Sequence, residues 1–162
     1  MKGLILQKGE RGYSYFKKTF CGIDALSQNY KWMLSNLVCY PQSDVLKRTL
    51  QDKKFVQLSG LELKQILEFE DFQLIWGVLS GFPNHIAWKE ILPYSLPYAD
   101  GYNGFWHDPL TLQHPLATAE FVAWDSRCTL FISKDDRLIY EVSRLYPQAE
   151  DLAEYNRSIC YN

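Results

Sequence analysis

The sequence predicts an α+β fold: a mixed, mainly antiparallel sheet with three to four helices packed mostly on one face. Three observations carry this. Two strand-like runs, Ala119–Trp124 and Cys128–Ile132, are separated only by Asp125, Ser126 and Arg127, which reads as a hairpin and hence antiparallel pairing. The stretch FQLIWGVL at residues 72–79 is the most apolar in the chain and reads as a central strand buried on both faces. Finally, Leu138, Ile139, Val142, Leu145 and Tyr146 repeat at the helical period on one stripe, and Pro147 stops them.

The remaining elements follow in chain order. Gly3–Gln7 reads as a first strand and Lys8–Gly12 as a charged turn. Tyr13, Phe16 and Phe20 predict a helix over Tyr13–Cys21, ended by Gly22. Tyr30–Leu34 and Val38–Tyr40 predict a hairpin turning at Ser35–Asn36. Ser43 is placed to cap a helix over Asp44–Gln51, Phe55–Leu58 is a short strand, and Ser59 caps a helix near Leu61–Phe69. Gly81–Asn84 reads as a turn and Ala87–Leu92 as one or two helical turns. Ser133-x-x-Asp136 resembles a capping box opening the 138–146 helix. Ala149–Tyr155 predicts a last acidic helical turn before a frayed tail.

The chain has 162 residues, 47% of them apolar and 22% charged, which fits one ordinary domain spanning 1–162. No apolar run reaches the roughly 18 residues of a membrane span. The opening MKGLILQKGERG has only four uninterrupted apolar or glycine positions before Gln7, too few for a signal-peptide core, so a cytoplasmic location is expected. Charge is uneven. Residues 1–60 hold ten Lys/Arg against four acids, and residues 61–162 hold seven against fifteen. Such a split marks either partner-facing surfaces or two halves whose fields cancel once folded.

The search for chemistry is largely negative. The chain lacks a phosphate-binding glycine loop, a G-x-S-x-G elbow and an H-E-x-x-H helix. No two of Cys21, Cys39, Cys128 and Cys160 lie within five residues of each other, so a structural zinc site is not expected. They read as reduced thiols, with Cys39 and Cys128 in the core. In His107–Asp108 a carboxylate stands next to an imidazole that it could orient, although chain neighbours usually point apart. Basic residues are scattered and the pI is about 5.9, which argues against nucleic acid. No cofactor, metal or catalytic group is expected.

The positive signal is a segment at 93–115 with four prolines, two glycines and no sustained period. Such long irregular segments are uncommon in compact domains. Tyr94, Tyr98, Tyr102, Phe105 and Trp106 lie within thirteen residues. At roughly 150–250 Å² each they carry about 750–1,250 Å² of surface, more than the about 300–600 Å² of a monomer's largest apolar patch. Either the loop folds back over the core or it presents rings to a partner. A standard interface buries about 800 Å² per side, so size fits both outcomes. Asp100-Gly101 and Asn103-Gly104 are turn pairs that favour display. The expected partner-binding set is Tyr98, Tyr102, Phe105, Trp106, His107 and Asp108, with the acids Glu68, Glu70 and Asp71.

The stretches NYKWMLSNLVCY and EFVAWDSRCTLFISKDDRLIYEVSRLY resemble the two ends of small bacterial single-domain proteins, through Trp32, Asp125, Ser126, Lys134, Ile139 and Tyr146. Proteins of this kind include immunity proteins, which bind and silence a companion toxin. The resemblance implies a protein-binding module that blocks its partner sterically and electrostatically, and it brings no catalytic residue. The alternative is a small-molecule or carbohydrate site in a cleft lined by the 93–115 loop, with Tyr98, Trp106, His107 and Asp108 together.

Overall fold

The computed structural model describes residues 1–159. They form a seven-stranded sheet in the order β3-β2-β4-β5-β6-β1-β7. The strands are β1 (Lys2–Leu6), β2 (Tyr30–Cys39), β3 (Phe55–Ser59), β4 (Leu74–Pro83), β5 (Ala119–Trp124), β6 (Cys128–Ser133) and β7 (Glu150–Asp151). Every neighbouring pair is antiparallel, so the sheet is not mixed as expected. The helices are α1 (Lys17–Gly22), α2 (Asp24–Ser27), α3 (Asp44–Leu50), α4 (Gly60–Phe69), α5 (Trp88–Ile91), α6 (Asp136–Leu145) and α7 (Leu152–Ile159), with a 3-10 turn at Asn103–Trp106. Among the described residues no helix is long and apolar enough to cross a membrane.

Period-two alternation divides the sheet's side chains between two cores. Phe121 of β5 and Phe131 of β6 point to a first face, while Val122 and Leu130 beside them point to a second. On the first face α1, α3, α4 and α6 bury Phe20, Leu46, Leu63 and Leu138 against the strands. Trp32 is fully buried there, its ring 4.9 Å from that of Phe20 and 5.4 Å from that of Phe121, and its Nε1 donates to the Ser27 carbonyl. The second face is just as apolar, with Ile5, Val78, Val122, Leu130 and Ile132 all buried. It therefore needs its own cover, which the 93–115 segment, α5 and α7 supply. Among the described residues, seven helices on two faces replace the three or four expected mostly on one.

Several local expectations change for identifiable reasons. The hairpin at Ser35–Asn36 is a single strand, β2, carrying a register irregularity after Ser35. Asn36 does take a left-handed backbone, φ 53°, but as part of a bulge rather than a turn. The helix over 13–21 begins only at Lys17, because Ser14 sits at φ 64°. Three bonds pin it there: its N–H donates to Thr129 Oγ1, its hydroxyl donates to the Cys128 carbonyl, and its carbonyl accepts from the Leu74 N–H. The turn expected at Gly81–Asn84 is mostly strand, since β4 runs on to Pro83. The α6 cap is Asp135, which accepts from the Arg137 N–H, while Ser133 bonds Asp135 and Thr118 instead. The terminal turn is a bridge strand followed by the eight residues of α7. Cys160 lies outside the described residues.

Other expectations hold. Ser43 caps α3, and Ser59 caps α4 in a full capping box with Glu62. Asp125 and Ser126 both take positive φ at the β5–β6 hairpin.

Candidate functional site

The nine residues expected to bind a partner fall on two regions that the sheet separates. Tyr98, Tyr102, Phe105, Trp106, His107 and Asp108 lie over the second face. Glu68, Glu70 and Asp71 lie at the C-terminal end of α4, which packs on the first.

Over the second face the rings are largely taken up in packing. Phe105 is 1% exposed and sits among Val122, Leu130 and Leu152. A chain of edge contacts runs from Tyr98 to Tyr102 (5.4 Å), Phe105 (4.8 Å), Trp124 (6.4 Å) and Trp106 (5.0 Å). Trp106 and Tyr102 are half-buried against this cluster; Trp106 also lies against Tyr155 of α7, not against α6. Only Tyr98 and Tyr94, near the start of the segment, keep close to half their surface in water.

The backbone beneath is bolted down. Asn36, on the β2 bulge, accepts from the N–H groups of Ala99 and Asp100. Asn156 of α7 donates from one amide nitrogen to the carbonyls of Phe105 and His107, at 2.9 and 3.0 Å. Asp108 does not orient His107; it pairs with Arg157 at 2.7 Å. Glu120 of β5, fully buried, accepts from the N–H groups of Gln113 and His114, both at 2.9 Å. Burial pushes its carboxyl up to about 7, overriding those two donors, which act in the opposite sense. His114 is also buried. Its Nδ1 accepts from the Leu116 N–H, which leaves the proton on Nε2 to donate to the Ile91 carbonyl. Burial holds this imidazole neutral by lowering its pKa. Both ring nitrogens are thus occupied by backbone groups and unavailable for acid–base work.

The α4 end is built differently. Glu68 lies 3.7 Å from Lys64 and accepts from the Cys21 thiol. Glu70 turns back and receives the N–H groups of Gln42 and Ser43, at 2.6 and 2.9 Å, ahead of α3. Asp71 makes no hydrogen bond or ion pair among the described residues. Partial burial raises its pKa, and the charge of Lys17 offsets part of that.

Around this end the surface is concave. A cleft of about 670 Å³ runs between the 9–15 turn and Tyr146. A second, of about 280 Å³, is walled by Tyr15 and Tyr40, and the two share Tyr15, Asp71 and Gln73. A third, of about 380 Å³, lies between α3 and α4 with Phe69 and Val45 on its rim. Phe69 and Tyr40 are each 68% exposed, and Val45 57%. None of these three clefts, nor the further two at Tyr140 and at Trp88, is lined by a residue of the 93–115 segment.

No family model, curated protein or solved structure matches this chain. Burial pushes the Cys39 thiol up to about 11 and that of Cys128 up to about 12, so neither is a thiolate at neutral pH. Among the described residues no group of three or more His, Cys, Asp or Glu side chains is placed to hold a metal ion.

Sequence reasoning missed Tyr15, Tyr40 and Phe69. A signal for Phe69 existed. It lies off the Leu63–Ile66–Leu67 stripe of its own helix, so helical geometry alone turns it to water. Tyr40 and Tyr15 had none, because their exposure depends on where β2 ends and on the pinned Ser14.

Proposed function

We propose that this chain is a protein-binding module of the immunity type, which neutralises a companion toxin by steric and electrostatic blocking. Its contact surface is the α4 end of the first face. The observation that carries this reading is the exposure of Phe69 and Tyr40, 68% each, with each ring lining a cleft. An apolar ring held largely in water loses the stabilisation that burial would bring, about 25 cal/mol per Å². Exposed aromatic groups of this kind anchor interfaces, where a few such side chains dominate the affinity. Asp71 offers the one of the three carboxylates whose oxygens are free to bond a partner, because those of Glu68 and Glu70 are engaged within the chain. Such a carboxylate favours a basic partner surface, as a nuclease cleft would be.

The test begins with affinity purification from the native host and identification of the partner by mass spectrometry, followed by calorimetric titration of the two purified proteins. The double variant Phe69→Ser, Tyr40→Ser should weaken binding by about 2–4 kcal/mol. Trp106→Ala should leave the affinity of the folded protein unchanged. Full affinity in the double variant would overturn the assignment of this face.

A further inference from the structure

Resting on that reading, we infer that the cleft between Tyr15 and Tyr40 receives one arginine side chain of the partner. The cleft measures about 280 Å³, below the about 300–1,000 Å³ of small-molecule sites and suited to a single long side chain. Its walls are the phenol rings of Tyr15 and Tyr40, 40% and 68% exposed, and Phe72 and Ile75 contribute apolar surface. An aromatic face attracts a cation through its quadrupole, and a planar guanidinium stacks on it while its N–H groups remain free to bond.

The bonding partner is in place. Asp71 lines the cleft and carries a carboxylate with no hydrogen bond or ion pair among the described residues. Glu70 lines it too; its oxygens are engaged by Gln42 and Ser43, but its charge remains. No lysine, arginine or histidine is among the lining residues. The cation acting on Asp71, Lys17, has its ammonium on the Glu68 carbonyl at 3.4 Å. Two aromatic walls, an unpaired carboxylate and a lining without a cation select a positively charged, planar guest. Arg11 and Lys18 line the adjoining cleft, where Lys18 is paired with Glu10 at 3.0 Å.

The test uses the full chain and N-acetyl-arginine methylamide as the probe, with N-acetyl-citrulline methylamide as its uncharged isostere, followed by NMR. The arginine derivative should produce saturable shifts at Tyr15, Tyr40 and Asp71 in the millimolar range, weakened by salt. Citrulline should not. Asp71→Asn, a change at an exposed site that leaves the fold intact, should reduce probe affinity about ten-fold, equivalent to about 1.4 kcal/mol. Equal shifts from citrulline, or an affinity indifferent to Asp71→Asn, would overturn the inference. Because the probe needs no partner protein, its failure removes the arginine assignment and leaves the interaction face standing. Failure of the Phe69 and Tyr40 double variant removes the face while the cleft's response to the probe still reads out.

Discussion

The second face and the α4 end are both rich in aromatic residues, yet they use them in opposite ways. Over the second face, Phe105, Trp106 and Trp124 lie edge to face in a layer roofed by a proline-rich segment. At the α4 end, Phe69 and Tyr40 stand in water, each lining a cleft of its own. What separates the two is the availability of backbone bonds. The 93–115 segment has no regular structure of its own beyond one 3-10 turn, and its polar groups reach Asn36, Glu120 and Asn156. Those side chains draw the segment onto the sheet, and its rings follow. Phe69 ends a regular helix whose buried stripe is Leu63 and Leu67, so its ring is left on the outer side.

This contrast predicts large folding effects in one region and small ones in the other. Phe105→Ala should cost about 3–5 kcal/mol in chemical denaturation, since the ring fills the centre of the second core. Glu120→Ala should cost about 2–4 kcal/mol, because it strands the N–H groups of Gln113 and His114 in the interior.

The pH dependence of Glu120 has a definite sign. Its folded pKa is raised to about 7 from an ordinary 4.5, so the native state binds its proton more tightly than the unfolded chain. Its contribution is complete below about pH 4.5 and is lost as pH rises toward about 7. Asp135 runs the other way. The Arg137 guanidinium beside it holds its carboxyl down at about 2, so its contribution is present above its ordinary 3.8 and lost as pH falls toward 2. Denaturation profiles of the wild type and Glu120→Gln should diverge between pH 4.5 and 7. Parallel profiles across that window would remove the buried carboxyl from the account.

Asn156→Ala should cost about 1–2 kcal/mol, and hydrogen exchange should accelerate first around Phe105 and His107, whose carbonyl anchors on α7 are lost. The smallest effect belongs to the α4 end. Phe69→Ser should change stability by no more than about 0.5 kcal/mol, because the ring is mostly in water already. A loss as large as that of Phe105→Ala would erase the distinction between the two regions.

Much of this was readable from the chain alone. The hydrophobic period of α6, the Ser43 and Ser59 caps, the Asp125–Ser126 turn and the apolar run of β4 are local signals, and each marks its element. A break at Ser35–Asn36 was legible too, but not whether it makes a turn or a bulge. That depends on β4, some forty residues away, running alongside both halves of β2. The fate of the aromatic segment was likewise undetermined, since exposed and folded-back arrangements contain the same residues. The bonds that decide it come from Asn36, Glu120 and Asn156, at separations of 63, 7 and 51 residues from their partners. Period and capping are short-range properties of a chain. Which face a segment covers, and which ring is left in water, is settled by burial and hydrogen bonding between distant residues, and only the tertiary structure brings those together.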